Sequence, residues 1–382
     1  MRRDLYEPDH EAFRQVVQEY VKREVTPNLP RWEEERNVDR RAWLAAGKQA
    51  IIGLRVPEGF GGPGTDDFRF RCVVMEELAK VCAASVSSGF GLQDDIAIPY
   101  IVDLGTEEQK ARWLPPMAAG ECIGAIGMTE PGAGSDLQGI RTSAVRDGDD
   151  WVVNGAKTFI TNGINADLVI VVARTDPGAG SRGISLLVLE RGMPGFSRGR
   201  KLDKIGLHAQ DTAELFFDDA RVPAANLLGR EGGGFVHLME RLPLERMSIA
   251  MMALASLRAA LDWTVEYTRQ RTAFGQPIAA FQNTAFELAT AVTEVDVLEA
   301  YLDKAVLALN EGELSAVDAA KAKLWATEVQ RRVLDRCLQL FGGYGYMTEY
   351  PIARAYADAR VQTIYGGTTE IQKDIIARGL GL

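Results

Sequence analysis

Residues 167–190 read DLVIVVARTDPGAGSRGISLLVLE and contain two β-rich runs separated by a turn-rich segment. Val, Ile and Leu favour strands, whereas the Asp, Pro, Gly and Ser between the runs favour a turn. Comparable runs lie on both sides, WVVNG at 151–155 and ELFFDDARV at 214–222. Residues from about 123 to 223 are therefore predicted to form an antiparallel β unit.

The chain on either side of this unit has helical periodicity. Before it, apolar residues recur at spacings of three and four, for example in AFRQVVQEYVKREV and FRFRCVVMEELAKV. After it, amphipathic stretches cover 236–270, 281–311, 315–341 and 370–378, and their short connections predict an antiparallel bundle. The predicted fold class is mainly α with a central antiparallel β domain. We expect a helical domain at 1–121, a β domain at 122–228 and a helical bundle at 229–382.

Composition narrows the classes of function. The chain has 382 residues and a formal net charge of -10, and it contains no basic run. A length above the ~250 to 300 residues at which a single core stops growing predicts two or three packed units. The lack of a basic run argues against a nucleic-acid partner. No apolar run approaches the ~18 residues of a membrane span, so none is predicted.

Targeting and metal signals are also lacking in the sequence. The N-terminal residues MRRDLYEPDHEAF carry charges where an export signal needs an apolar stretch, so the expected location is cytoplasmic. The four cysteines form no CxxC pair, which argues against a disulfide framework or a thiolate zinc site. The three histidines are dispersed, and no metal site is predicted. No GxGxxG follows a strand and opens a helix, so a Rossmann domain is not expected.

The segment IGMTEPGAGSDLQGIRT at 126–142 is a glycine-broken loop with Thr and Ser side chains at the edge of the predicted sheet. Such a loop offers backbone N–H groups and hydroxyls to a planar polar ring or a phosphate. The same composition also suits a simple connector. Other segments decide between these two interpretations.

Five segments together resemble the acyl-CoA dehydrogenase family, most closely its long-chain branch. They are TEPGAGSD at 129–136, KTFITNG at 157–163, RTAFGQPIAAFQ at 271–282, QLFGGYGYMTEYPIARAYADAR at 339–360 and IYGGTTEI at 364–371. The resemblance implies a three-domain fold with a C-terminal four-helix bundle. It also implies FAD between the β domain and the bundle, contacted in part by a neighbouring subunit, and hence a homo-oligomer, usually a dimer of dimers.

The resemblance also assigns residues to the cofactor. Those expected to line the flavin from the β domain are Ile126, Met128, Thr129, Ser135, Phe159 and Thr161. Those expected to reach the FAD of a neighbouring subunit are Arg271, Phe274, Gln282, Gln339, Gly342 and Gly343. A last flavin contact is expected from Thr368 and Glu370.

The catalytic carboxylate of much of the family follows the Tyr of the C-terminal segment, where this chain has Gly366. The long-chain and isovaleryl branches place it on a bundle helix, in a segment like LPLERMSIA at 242–250, which supplies Glu245. The implied reaction is FAD-dependent α,β-dehydrogenation of an acyl-CoA thioester to the trans-2-enoyl-CoA. Glu245 is the expected base, and the expected substrate contacts are Ser135, Arg246, Gly366 and Gly367.

The sequence and the family resemblance also suggest the length of the substrate and the partners of the protein. Gly89 and Gly91 lack side-chain bulk, and Pro99 interrupts the helix that carries them, which favours a cavity for long or branched acyl chains. The same residues also suit a turn ahead of the helix. Electron-transfer flavoprotein is the expected electron acceptor. The alternatives are an acyl-CoA oxidase and a non-catalytic assembly subunit on the same scaffold.

Overall fold

The computed structural model describes residues 3–382, and its N-terminal part is helical. Amphipathic helices bury Trp32, Trp43 and Tyr20 in one apolar core. The helices are α1 Pro8–Tyr20, α2 Leu29–Glu35, α3 Arg40–Lys48, α4 Arg69–Lys80, α5 Ala84–Gly91, α6 Ile98–Leu104 and α7 Glu107–Ala118. A π-helix at Leu92–Ala97 joins α5 to α6 without a break.

The central part of the chain is an eight-stranded sheet. Its strands are β1 Gly124–Gly127, β2 Ser143–Asp147, β3 Asp150–Thr161, β4 Leu168–Arg174, β5 Ile184–Glu190, β6 Phe196–Lys201, β7 Thr212–Pro223 and β8 Leu227–Leu228. They follow the order β6-β7-β3-β2-β4-β5-β8, and β1 pairs with β4. Strands β4 and β5 are apolar along most of their length because both of their faces are covered.

The antiparallel prediction is confirmed for most strand pairs and is wrong for two. Strand β1 runs parallel to β4, and a single pair joins β2 to β4 in the same sense. Parallel strands need a crossover connection, and the β2–β3 hairpin supplies it between β1 and β4. The sheet is therefore mixed, with antiparallel pairing dominant.

The C-terminal part is a helical bundle of α8 Gly234–Gln270, α9 Gln282–Asn310, α10 Ala316–Leu340 and α12 Thr369–Gly379. A fifth helix that the pattern did not single out, α11 Pro351–Ala359, packs against α8 and α10. A short hairpin of β9 Thr272–Ala273 and β10 Gln276–Pro277 follows α8. Helix α8 is long and apolar enough to cross a membrane by length and composition, but 67% of its most apolar window is buried inside the protein.

One buried polar cluster joins the helical domain to the bundle. The Arg71 guanidinium of α4 donates to both Asp95 carboxylate oxygens, at 2.8 and 3.1 Å, and Ser248 of α8 donates to Asp95 at 2.6 Å. All three residues are buried. A charge in such a place is stable only while its partner remains.

Replacing Arg71 by Met should destabilise the protein strongly. The Asp95 carboxylate would keep only the Ser248 hydroxyl as a neutral donor, at an expected cost of about 3 to 5 kcal/mol in the free energy of unfolding. Arg71→Met combined with Asp95→Leu should recover part of this loss. The matched control is Arg31→Met, which removes an exposed ion pair with Asp39 and should barely change the melting temperature. A single variant as stable as the wild type would contradict the assignment.

Candidate active site

The Glu245 side chain lies inside the protein, with only 4% of its surface exposed. The Tyr100 hydroxyl donates a hydrogen bond to Glu245 Oε1 at 3.2 Å. Burial raises the pKa of Glu245 to about 7, although the Tyr100 hydrogen bond and the charges of Arg246 and Arg241 favour the ionised form. An exposed helix acid is therefore excluded, and the group has the raised basicity that proton abstraction requires.

Arg246 is also buried but does not pair with its neighbour. No ion pair in the described range 3–382 joins Arg246 to Glu245, as expected for adjacent residues on a helix. The Arg246 Nε atom is buried and has no hydrogen-bond partner there. Burial lowers the pKa of Arg246. The Arg246 Nε–H is therefore a buried donor that a ligand can accept from, and the Arg246 charge acts on Lys323 at the glycine turn described below.

Tyr100 was not identified from the sequence, and its position depends on the π-helix at Leu92–Ala97. The π-helix has a wider turn than an α-helix, and Asp95 within it points toward Arg71. Tyr100 follows Pro99 in the next helix and reaches Glu245. The Arg241 guanidinium lies 5.3 Å from the centre of the Tyr100 ring and pairs with Asp103 at 3.3 Å. Short π segments are common at functional sites. Nothing in the residue pattern of this helix marks the change of winding.

The turn at Gly366 and Gly367 faces the same stretch of α8. Both residues have positive φ values, +63° and +91°, which favour glycine. A Cβ atom on Gly366 would lie 2.3 Å from Ile249 Cδ1, and Ile249 is one helical turn beyond Glu245. Ile249 therefore lies between the glycine turn and the turn of α8 that carries Glu245.

Two buried side chains that the sequence did not reveal fix this turn. Lys323 Nζ donates to the Gly367 carbonyl at 2.6 Å, and Gln372 Nε2 donates to the Gly366 carbonyl at 3.1 Å. Burial lowers the pKa of Lys323 to about 8. The carbonyl and the N–H of a trans peptide point in opposite directions, so the Gly367 N–H points away from Gln372. Within the described chain, neither glycine N–H donates a hydrogen bond.

The TEPGAGSD loop is anchored by one buried ion pair. Lys157 Nζ lies 2.7 Å from Glu130 Oε1 and donates to the Met128 carbonyl at 3.1 Å, while the Glu130 carboxylate accepts the N–H groups of Arg141 and Thr142. Burial lowers the pKa of Lys157 to about 8. Ser135, near the C-terminal end of the anchored loop, is exposed.

The other residues expected from this segment lie at different depths. Met128 and Thr129 are half-buried, and Ile126 lies in β1 within the apolar core. The exposed hydroxyl of Ser135 and the partly open Thr129 can meet a polar ring, whereas the Ile126 side chain faces the core. The segment therefore presents hydroxyl groups near its two ends, at Thr129 and Ser135, to a ligand outside the β domain core.

Phe159 has an unusual backbone for a bulky residue. Its φ is +59°, it lies at an irregularity of β3 between Lys157 and Ile160, and 68% of its surface is exposed. Positive φ at an aromatic residue stores strain and clusters at functional sites. Thr161, two residues on, accepts a hydrogen bond from Gln210 at 2.6 Å. An exposed aromatic ring beside hydroxyls and a glycine loop fits a flat polar ring system such as isoalloxazine.

The remaining predicted cofactor residues form a separate group at the far end of α8. Phe274 is 95% exposed with a φ of +52°, and the Arg271 guanidinium lies 5.5 Å from the centre of the Tyr344 ring. Exposed positions in the same group are Gln282, Gln339, Gly342 and Gly343. From Glu245 to the end of α8 is about 38 Å at about 1.5 Å per residue. Within one chain, this group therefore lies far from Glu245.

Thr368 and Glu370 lie at the start of α12. The Thr368 hydroxyl caps this helix by accepting the Ile371 N–H at 3.4 Å, and Glu370 is exposed in the first turn. Both residues immediately follow the glycine turn, so they can meet a ligand that contacts it. In the part of the chain that the structure describes, no group of three or more His, Cys, Asp or Glu side chains could hold a metal ion.

A cavity of about 30 Å³ lies beyond the glycine turn, next to Tyr365. Its wall includes Ser87 and Ser88 of α5 but neither Gly89 nor Gly91. A Cβ atom on Gly91 would lie 3.3 Å from Asp95 and 3.6 Å from Ser248, so this glycine lets α5 approach the buried polar cluster. The prediction that Gly89 and Gly91 open a cavity for the acyl chain stays a prediction.

Comparisons with known proteins show the family of the chain. Residues 7–121, 125–220 and 232–381 match the N-terminal, middle and C-terminal domains of acyl-CoA dehydrogenase. The long-chain specific acyl-CoA dehydrogenase of Sus scrofa mitochondria is 49% identical over 98% of this chain and 87% of that protein. A short-chain specific acyl-CoA dehydrogenase of Clostridium acetobutylicum is 37% identical over 97% of each.

Solved structures give the same result. The acyl-CoA dehydrogenase from Geobacillus kaustophilus superposes with a TM-score of 0.97 at 48% identity, covering 99% of both chains. A glutaryl-CoA dehydrogenase from Mycobacterium smegmatis in complex with FADH2 has a TM-score of 0.91 at 30% identity, covering 98% of this chain and 95% of that one. The chain belongs to the acyl-CoA dehydrogenase family. It is an oxidoreductase with the three-domain fold of that family, and its cofactor is FAD.

Burial of Glu245 should make the protein less stable as the pH rises. The pKa of this group is about 7 in the folded protein and about 4.3 in an unfolded chain, so the folded state binds the proton more tightly. The resulting stabilisation is complete below the pKa of Glu245 in the unfolded chain and is lost as the pH rises through its pKa in the folded protein. The free energy of unfolding should fall by about 3 to 4 kcal/mol in all. Unfolding free energies of the wild type and Glu245→Gln, measured from about pH 4.5 to 8, should diverge by this amount.

The control for this measurement is Glu240→Gln, which removes an exposed acid from the same helix. Its stability should follow that of the wild type at every pH. A constant difference between the wild type and Glu245→Gln across the range would show that the Glu245 carboxyl has an ordinary pKa.

Proposed function

We propose that the protein oxidises acyl-CoA thioesters to trans-2-enoyl-CoA, with Glu245 as the base that removes the α-proton. The observation that supports this role is a carboxyl that is buried beside Tyr100 and has a pKa of about 7. Such a group is ionised in a useful fraction near neutral pH and is a stronger base than an exposed carboxylate. Bound FAD supplies the acceptor for the hydride that leaves the β-carbon.

We propose that the glycine turn holds the thioester carbonyl oxygen. The Gly366 and Gly367 carbonyls are occupied by Gln372 and Lys323, which leaves their N–H groups for a ligand. A hydrogen bond to that oxygen stabilises the negative charge that develops when the α-proton leaves. Lys323 and Gln372 are thus positioning residues, since they orient the turn through its carbonyl groups. Arg246 and Ser135 are the further residues proposed to border the substrate.

The FAD contacts are proposed in two sets. Met128, Thr129, Ser135, Phe159 and Thr161 border the flavin ring in one chain, and Ile126 supports them from the core. The second set, which includes Arg271 and Phe274, lies about 38 Å along α8 and serves the FAD of another subunit. An Arg fork suits a pyrophosphate because it can donate to two oxygens at once. This arrangement requires at least a dimer, and a dimer of dimers is the proposed assembly.

Replacing Glu245 by Gln should abolish turnover while flavin stays bound. Gln keeps the size of the side chain and its hydrogen bond to Tyr100 but cannot accept the proton. A fall in kcat of about 10³-fold or more is expected with medium- and long-chain acyl-CoA esters, measured by dye reduction. Glu240→Gln, on the exposed face of the same helix, should retain full activity. Unchanged turnover in Glu245→Gln would refute the assignment.

A rescue variant tests whether positions 245 and 366 serve the same α-carbon. Gly366→Glu alone would bring its Cβ against Ile249, so the rescue also needs Ile249→Ala. In the Glu245→Gln background, this pair of changes should recover part of the lost kcat. The recovery should be incomplete because Glu at a φ of +63° is strained.

Replacing Phe274 by Asp should weaken both assembly and FAD binding. The side chain is almost fully exposed in the single chain, and a charge there would be buried in an interface between subunits. Size-exclusion chromatography should show smaller species, and the flavin absorbance per chain should fall. Glu245→Gln is the control that keeps both properties. A fully flavinated oligomer of the Phe274→Asp variant would exclude this position from the interface.

Substrate length, electron acceptor and location complete the proposal. We propose long or branched acyl chains, because a cavity lies next to Tyr365, the residue that precedes the glycine turn. Short-chain relatives are also similar to this chain, so a panel of acyl-CoA esters read as flavin bleaching is the direct test. Electron-transfer flavoprotein is the proposed acceptor, and hydrogen peroxide formed in air would indicate an oxidase. The proposed location is the cytoplasm.

A further inference from the structure

The cavity beside Tyr365 contains hydrogen-bonding groups that the protein does not satisfy. Gln330 is 1% exposed, and neither its Nε2 nor its Oε1 atom has a partner within residues 3–382. The Ser87 hydroxyl and Gln362 Oε1 are likewise buried and unpaired over that range. All three residues line the cavity. Buried polar groups are normally hydrogen-bonded, so a set of orphans around one cavity indicates a missing polar partner.

The cavity lies in line with the proposed base. Glu245, Ile249, Met252 and Ser256 are spaced by four, three and four residues and therefore share one face of α8. Met252 and Ser256 line the cavity, and Ile249 borders the glycine turn. Along the helix axis, Met252 lies about 10 Å and Ser256 about 17 Å from Glu245, and the cavity wall continues along α8 to Trp263. An extended chain covers this span in about 9 to 14 bonds at about 1.2 Å per bond.

The lining also defines the charge of the occupant. It contains no Lys, Arg or His, and it includes the Asp358 carboxyl, whose oxygen accepts the Leu207 N–H. A carboxylate on the ligand would be buried without a cation and beside another acid, which is unfavourable. A neutral hydroxyl both donates and accepts, so it can pair with the amide oxygen and the amide nitrogen of Gln330. Met75, Met252 and Trp263 supply apolar contacts for the chain itself.

We propose that this cavity binds a neutral oxygen-bearing group, a hydroxyl or a carbonyl, on the distal part of the acyl chain. The preferred substrates are then oxygenated acyl-CoA thioesters. This inference rests on the proposed function, since it assumes that the α-carbon lies at Glu245. A plain chain that fills the cavity leaves Gln330, Ser87 and Gln362 unpaired, and sites built to hydrogen-bond a hydroxyl reject analogues that lack it.

The test compares 12-hydroxydodecanoyl-CoA with dodecanoyl-CoA, and the corresponding eight-carbon pair as a length control. The hydroxylated twelve-carbon ester should have a kcat/KM about tenfold higher than the plain ester. The eight-carbon pair should show no such preference because its terminal oxygen does not reach the cavity. Gln330→Leu should abolish the preference by lowering kcat/KM for the hydroxylated ester and raising it for the plain ester.

The controls separate this inference from the proposed function. Gln18→Leu changes an exposed Gln of α1 and should keep the wild-type preference. Ser87→Ala removes a second unpaired group and should reduce the preference if Gln330→Leu does not fold. Equal kcat/KM values for both twelve-carbon esters in the wild type would overturn the inference while leaving the dehydrogenase activity established. If no acyl-CoA bleaches the flavin, the proposed function fails, and the inference fails with it.

Discussion

The desolvation of the Glu245 carboxyl is the constraint on which the site depends. A carboxyl so deeply buried loses most of its hydration, and one hydrogen bond from Tyr100 does not replace it. The group stays there because α8 is fixed on both sides of it. Leu238 belongs to the core shared with the sheet, and Met247 begins the core of the bundle. Rotating α8 to hydrate Glu245 would expose apolar residues of both cores. The burial of these apolar residues therefore keeps Glu245 dry and maintains its raised pKa.

Three buried cations fix segments that carry residues of the proposed site. Arg71 holds the π-helix of the N-terminal domain, Lys157 holds the loop after β1, and Lys323 holds the glycine turn. Each cation donates to a different kind of acceptor. Arg71 pairs with the Asp95 carboxylate, which also accepts from α8. Lys157 pairs with a carboxylate that accepts backbone N–H groups, and Lys323 donates to a backbone carbonyl. A loop of glycine and small polar residues has little apolar burial to hold it. Pairing with a buried cation therefore helps to hold each of these segments in one conformation.

The sequence predicted the order of the three domains and the family, whereas the role of Glu245 as the base stays a prediction and the partners of its carboxyl were not foreseen. The spacing of apolar residues changes near residue 123 from a helical to a strand pattern. This spacing reflects which side chains are buried, so it can be read directly from the local sequence. Tyr100 reaches Glu245 only because the preceding helix widens, and Lys323 meets Gly367 only after α10 and α12 pack. Such contacts depend on tertiary packing. The parallel pairing of β1 was missed because strand pattern carries no information on direction.

Positions 245 and 366 are alternative places for the carboxylate, and the residue at one position restricts the residue at the other. Gly366 has a positive φ and leaves no room for a Cβ atom next to Ile249, so a carboxylate at 366 needs a smaller residue on α8. Carboxylates at both positions would share one dry site, and their repulsion would raise the pKa of one of them and impair it as a base. Moving the base therefore requires coordinated changes at 245, 249 and 366. A chain with Glu245, Ile249 and Gly366 therefore has room for this carboxylate only on the helix.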